Sequence, residues 1–176
     1  MLFRSSLTVG TGTVTAGNIV NSNANGIGNI GSSTVYYNTG FLKATTAQYA
    51  DLAENYAADA GYTPGTVLVF GGNNEVTISS SNADVRVAGV VSTDPAHLMN
   101  SCLEAEFPIA VALTGRVPCR VIGTIAKGDR IVASHIPGVA MAMKHDEYQP
   151  GSIIGKALED YNSDEEGVIT VVIGKN

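Results

Sequence analysis

Asp51 and Glu54 have the spacing in this chain that most suggests chemistry. They stand in the run Tyr49-Ala50-Asp51-Leu52-Ala53-Glu54, and three residues apart on a helix they would share one side. Two carboxylates held close together split their pKa values, so that one can act as general acid and the other as base. The plainer reading is a pair of solvated acids stabilised by the first turn of a helix, and spacing by itself favours that reading over catalysis.

Other chemical patterns are weaker. Gly26-Ile27-Gly28-Asn29-Ile30-Gly31 matches the dinucleotide-binding glycine pattern, with Asp51 twenty positions beyond Gly31. The phosphate-binding form needs a strand before it and a helix after it whose N-terminus meets the pyrophosphate. Here Ser32-Ser33-Thr34-Val35-Tyr36-Tyr37 follows, a β-type run, so no dinucleotide cofactor is expected. His97, His135 and His145 are dispersed, whereas a metal needs three or four converging donors, so no metal site is expected. Ser92, Ser101 and Cys102 lie near His97 in the sequence, but no Gly-x-Ser-x-Gly elbow is present and a hydrolase of external substrates is not indicated.

Charge divides the chain. The first 50 residues contain Arg4 and Lys43 and no Asp or Glu, net +2, while residues 51 to 176 carry 8 basic and 16 acidic groups, net −8. So abrupt a change marks a junction between structural units. With a net charge of −6 and no basic run, nucleic acid and anionic membrane surfaces are poor partners. No apolar run approaches the roughly 20 residues of a spanning helix, so membrane insertion is not expected. Met-Leu-Phe-Arg lacks the features of a secretory signal, and the chain is expected to be made in a cytoplasm and remain soluble. Cys102 and Cys119 could pair, but two cysteines make no disulfide framework, and buried free thiols are expected.

The elements that would position these residues read as mainly β. From Ser6 to Thr39, Thr and Val alternate with Gly, Ser and Asn, a text that favours short strands and turns. It has too few large side chains to offset its chain entropy alone. Residues 1–45 are therefore expected to be an extended glycine- and asparagine-rich β leader that intertwines with copies of itself, a flexible linker being the other reading. Tyr49, Leu52, Ala53 and Tyr56 recur at i, i+3, i+4 and i+7 among alanines, which predicts a short helical connector over 46–61. Residues 62–176 read as a compact β sandwich or barrel-like domain. Thr66–Phe70 and Glu75–Ser79 flank Gly71-Gly72-Asn73-Asn74 as a hairpin, followed by β runs at Val85–Ser92, Ile109–Leu113, Arg116–Ile122, Arg130–Ala133, Ser152–Ala157 and Val168–Ile173. Turns are expected at Lys127-Gly128-Asp129 and Ile136-Pro137-Gly138, and a loop at the acidic Ser163-Asp164-Glu165-Glu166.

Three stretches resemble phage virion proteins. Gly28-Asn29-Ile30-Gly31-Ser32-Ser33-Thr34-Val35-Tyr36-Tyr37-Asn38-Thr39-Gly40-Phe41 is similar to the glycine-serine and aromatic segment that precedes C-terminal processing domains in trimeric fibres and spikes. Ala50-Asp51-Leu52-Ala53-Glu54-Asn55-Tyr56 resembles the Ala-Asp-Tyr-Ala-Glu phrase that opens the intramolecular chaperone autoprocessing domain of phage appendages, with Leu52 in place of the aromatic. Pro64–Phe70 and Val87–Pro95 resemble that domain's β-rich body. The resemblance implies a virion protein, a subunit of a homotrimeric phage tail fibre, spike or appendage. Its N-terminal segment would join other virion proteins and its β domain would form a distal knob. It also implies an alternative, a self-cleaving intramolecular chaperone for fibre trimerisation, with Asp51 and Glu54 as the candidate self-cleavage residues and the cut just N-terminal to Ala50. A third expectation is attachment to host surface glycan, for which Tyr36, Tyr37, Tyr148 and Tyr161 offer stacking faces.

Overall fold

The computed structural model describes residues 51–174 apart from 145 and 147, together with Thr13, Thr34 and Val35. The chain divides into two units, Met1–Ala44 and Thr45–Asn176, and every strand among the described residues belongs to the second. Those strands are β1 (Asp51–Ala57), β2 (Val67–Phe70), β3 (Val76–Ile78), β4 (Val87–Val91), β5 (His97–Met99), β6 (Pro108–Ile125), β7 (Arg130–Ala133), β8 (Ala140–Ala142), β9 (Ile153–Ala157) and β10 (Tyr161–Ile173). Apart from Thr13, Thr34 and Val35, the leader expected over residues 1–45 lies outside the described residues, as do the glycine pattern at 26–31 and Tyr36 and Tyr37.

The 18-residue strand β6 organises the body, because its two halves close two rings. Its second half pairs with β10, β10 with β9, β9 with β7 and β7 with β8, and β8 returns to β6 through Val121 and Ala140. Its first half pairs with β1 and β4, β4 with β2 and β2 with β3, while Ala58 bridges from the end of β1 to Val76 of β3. β5 adds to β1 in parallel. Closure removes the exposed sheet edges that would otherwise template unwanted pairing.

Side-chain alternation explains the two cores. Along β6, Val117, Cys119 and Val121 are buried while Arg116 and Pro118 face outward, the period-2 pattern of a half-buried strand. Ile131, Ala133, Ala140, Ile154, Ala157, Ile169, Val171 and Ile173 join them in the larger core. β2 and β4 are instead buried on both faces, which is why they read as continuous apolar runs. Val67 and Val90 face the larger core, and Leu68 and Val91 face a smaller one completed by Ala58, Val76 and Val111, with Tyr56, Tyr62 and Phe107 packed against it.

Two glycines permit this construction. Gly115 is partnered by both Asp51 and Ile173, so it is where β6 leaves one ring for the other, and its φ of 108° is a conformation that favours glycine. Gly155 faces β10 so closely that a Cβ there would stand 2.1 Å from the Val172 carbonyl oxygen.

The mainly β, barrel-like body agrees with the expectation from sequence, as do the β2–β3 hairpin, β7 and the turns at 127–129 and 136–138. The helical connector does not. Its described part forms β1, because pairing on both sides, with β5 and β6, overrides the weak helical preference of its alanines. The two runs expected at 109–113 and 116–122 are one strand, and the acidic stretch 163–166 lies within β10 as a bulge. β5 and β8, three residues each, carried no readable signal.

Candidate functional site

β1 places the candidate self-cleavage residues. On a strand, residues three apart point to opposite faces, so Asp51 and Glu54 do not share a side as a helix would have required. Asp51 is buried, like Ala53 two residues on, and its main-chain carbonyl accepts a 2.8 Å hydrogen bond from the Ala96 N–H. Its Oδ2 atom is buried with no hydrogen-bond partner among the described residues, a costly state for a carboxylate oxygen. Ala50, at the expected cut, lies outside the described residues.

Glu54 joins a different cluster. Its Oε2 accepts a hydrogen bond from the Tyr56 hydroxyl at 3.1 Å, and Glu75 Oε2 accepts the Ala57 N–H at 2.8 Å. Burial, then the hydrogen bond to Glu54 and its negative charge, push the Tyr56 phenol above its ordinary value. The Tyr56 ring meets Phe70 edge-on at 5.7 Å. Close by in the chain, the Tyr62 hydroxyl donates to Asp59 at 2.5 Å; hydrogen bonds from Tyr62 and Thr77 lower the Asp59 pKa, while burial raises that of Tyr62. Asn55 and Asn100 exchange side chain to main chain hydrogen bonds of 3.3 and 3.0 Å, tying β1 to the end of β5. These contacts hold β1 in place, and none joins Asp51 to Glu54.

The remaining candidates are scattered. His97 is exposed on β5, Ser92 is buried with an unpartnered Oγ, and no hydrogen bond links His97 to Ser92, Ser101 or Cys102 among the described residues. His135 is exposed and His145 lies outside the described residues. Among the described residues no group of three His, Cys, Asp or Glu side chains could hold a metal ion. Both cysteines are free, but only Cys119 is buried; Cys102 is exposed, contrary to the expectation of two buried thiols. Burial pushes the Cys119 thiol up to about 12, so it is an inert core group. Tyr148 is exposed, whereas Tyr161 lies over Gly167 and donates to the Glu165 carbonyl at 2.8 Å, a structural role.

Sequence reasoning missed the basic face of the larger ring. Two open depressions of about 330 and 310 Å³ lie there, the first lined by Arg116, Lys127, Leu158, Glu159 and Thr170, the second by Gly128, Asp129, Arg130, Met143 and Lys156. Arg116, Arg130 and Lys156 are far apart in sequence, and sheet pairing gathers them.

No family model and no curated protein matches the chain. Among solved structures, the chain is similar to the head fiber gp8.5 N base of bacteriophage phi29, at 13% identity and a TM-score of 0.40, over 69% of this chain and 92% of that one. A phage head-fibre protein is thus among its structural neighbours. No helix among the described residues is long and apolar enough to cross a membrane.

Proposed function

We propose that the chain is a virion structural protein, a subunit of a homotrimeric phage fibre, spike or appendage that contributes to host attachment. Residues 1–45 join it to other virion proteins and to its own copies, and the double-ring body forms a distal knob. One observation carries this reading: the phrases that resemble the phage appendage domain fall, in order, on strands of one closed unit. Asp51–Tyr56 lies on β1, Val67–Phe70 is β2 and Val87–Val91 is β4, all in the smaller ring. Sedimentation of the full chain over a range of concentrations tests it. The expected species has three times the 18.2 kDa chain mass, and a monomer persisting at high concentration would overturn the reading.

The unpartnered Asp51 Oδ2 favours a second reading, a self-cleaving chaperone. Asp51 is one residue beyond the Tyr49–Ala50 bond, where its free carboxylate lone pair could take a proton from a water attacking the Tyr49 carbonyl carbon and return it to the Ala50 nitrogen as that C–N bond breaks, leaving a Tyr49 carboxylic acid and an Ala50 amine. Mass spectrometry after long incubation is expected to reveal a fragment beginning at Ala50, lost in Asp51→Asn and retained in Glu54→Gln. If no fragment forms at any pH, this second reading fails.

A further inference from the structure

We infer that the outer face of the larger ring is a contact surface for a second copy of this chain, whose acidic β10 bulge docks on a row of cations. The row is fixed by strand register. Arg116 of β6 is partnered by Val172 of β10, Val172 by Lys156 of β9, and Lys156 by Arg130 of β7. Directly paired residues share a sheet face, and here it is the outward one, since Val117, Val171, Ala157 and Ile131 alternate with them into the core. At roughly 5 Å per strand the row spans about 14 Å.

Within the chain this row is a liability. Lys156 and Arg130 oppose each other directly, an arrangement of like charges that destabilises a sheet. No ion pair to Arg116, Arg130 or Lys156 exists among the described residues. The nearest carboxylates, Glu159 beside Arg116 and Asp129 beside Arg130 and Lys156, line the same depressions but form no ion pair with the row; each accepts a main-chain N–H instead, Asp129 from Ala126 and Glu159 from Thr170.

The complementary piece is on the same ring. Between the pairs Ser163–Gly123 and Gly167–Val121, the residues Asp164, Glu165 and Glu166 bulge out of β10. The bulge is held in shape. Tyr161 donates to the Glu165 carbonyl at 2.8 Å, Glu165 N–H donates to Ser163 Oγ at 3.0 Å, and Arg120 grips Glu166 through two bonds of 2.5 and 2.8 Å. Asp164 and Glu165 are thereby left exposed on a preorganised finger. Arg120, which holds that finger, stands four residues along β6 from Arg116, about 13 Å away, so finger and row are separate patches. A contact between two different patches is heterologous and makes a closed ring of copies when its rotation closes. An external polyanion could also meet the row, but a copy of the chain supplies a preorganised acidic finger of opposite charge.

The inference rests on the homotrimer reading, and sedimentation with charge-swapped variants separates the two. Reversing the row (Arg130→Glu with Lys156→Glu) is expected to raise the dissociation concentration about tenfold or more at low salt. Reversing the finger (Asp164→Lys with Glu165→Lys) should do the same, and the four changes together should restore assembly. Wild-type assembly should weaken towards 1 M salt, where the screening length falls to about 3 Å. If all variants assemble like the wild type, the inference is overturned and the homotrimer stands; if the wild type is monomeric throughout, both fall. Heparin binding by the row with assembly unchanged in the variants would assign the face to an external polyanion and also overturn the inference. Circular dichroism checks folding, and Arg130→Gln with Lys156→Gln, expected to weaken assembly less, serves should the reversals unfold.

Discussion

The two rings built on β6 differ in what supports their closure. The larger ring closes through one residue pair, Val121 with Ala140 between β6 and β8, but β10 runs beside β6 from Tyr161 to Ile173 and the ring encloses most of the buried aliphatic side chains. The smaller ring is closed between β1 and β3 by the isolated bridge of Ala58 to Val76, with the Glu75 N–H donating to the Ala57 carbonyl at 3.0 Å, and by side chains, among them Asn74 Nδ2 donating to the Ala58 carbonyl at 2.7 Å. Its core is five buried residues with a rim of aromatics. The same strand thus belongs to a ring with a large aliphatic core and a long β6–β10 pairing and to one with a small core that depends on β1 to cover it. Removal of β1 should therefore be the largest perturbation available. A fragment of residues 46–176 is expected to give a cooperative thermal transition, while 62–176, which leaves one edge of β6 and the aromatic rim uncovered, is expected to lose it. Equal cooperativity in both fragments would show that the smaller ring needs no closure.

That contrast also explains what could be read from sequence. Much of the larger ring was legible, because Arg130–Ala133, Ser152–Ala157 and Val168–Ile173 are short apolar runs rich in Val and Ile and bounded by turn residues. β1 was not, since Leu52, Ala53 and Tyr56 fit a helical stripe as well as a strand, and only pairing with residues more than fifty positions away decides between them. The candidate carboxylates stand out by their motif, but the segment that a helix would have put on one side is a strand, and alternation sends Asp51 and Glu54 to opposite faces. The basic row was invisible because Arg116, Arg130 and Lys156 become neighbours only through the register of four strands.

Core truncations sharpen the comparison. Leu68 and Ile131 are both fully buried, one in each core, and replacing either by Ala should cost about 2–5 kcal/mol. The distribution of the damage should differ. Amide exchange in Leu68→Ala is expected to quicken chiefly in β2 and β3, whereas Ile131→Ala should quicken it across both rings, since the larger core supports β2 and β4 through Val67 and Val90. Gly155→Ala tests the backbone closure itself: the added Cβ must part β9 from β10, at a cost of about 3 kcal/mol or more. Uniform exchange after the Leu68 change would argue for a single cooperative unit.

Smaller still, and different for each ring, is the response to pH. In the larger ring the Arg120 guanidinium lowers the Glu166 carboxyl pKa through its hydrogen bonds. A carboxylate with a lowered folded-state pKa contributes stability that is complete above its unfolded value of 4.5 and is lost as pH falls through the folded one. Glu166 is partly exposed, so the contribution should be below about 1 kcal/mol, and Glu166→Gln should flatten the acid limb of melting temperature against pH. In the smaller ring, burial raises the Tyr56 and Tyr62 phenols above 10.0. Here the sign reverses: the folded state resists ionisation, so stability is whole below pH 10 and declines as pH rises through the raised values. Tyr56→Phe, which keeps the ring against Phe70 but removes the hydroxyl beside Glu54, should therefore flatten the alkaline limb and leave the acid limb unchanged. An alkaline limb identical in Tyr56→Phe and wild type would show that the Tyr56 phenol does not link the stability of the smaller ring to pH.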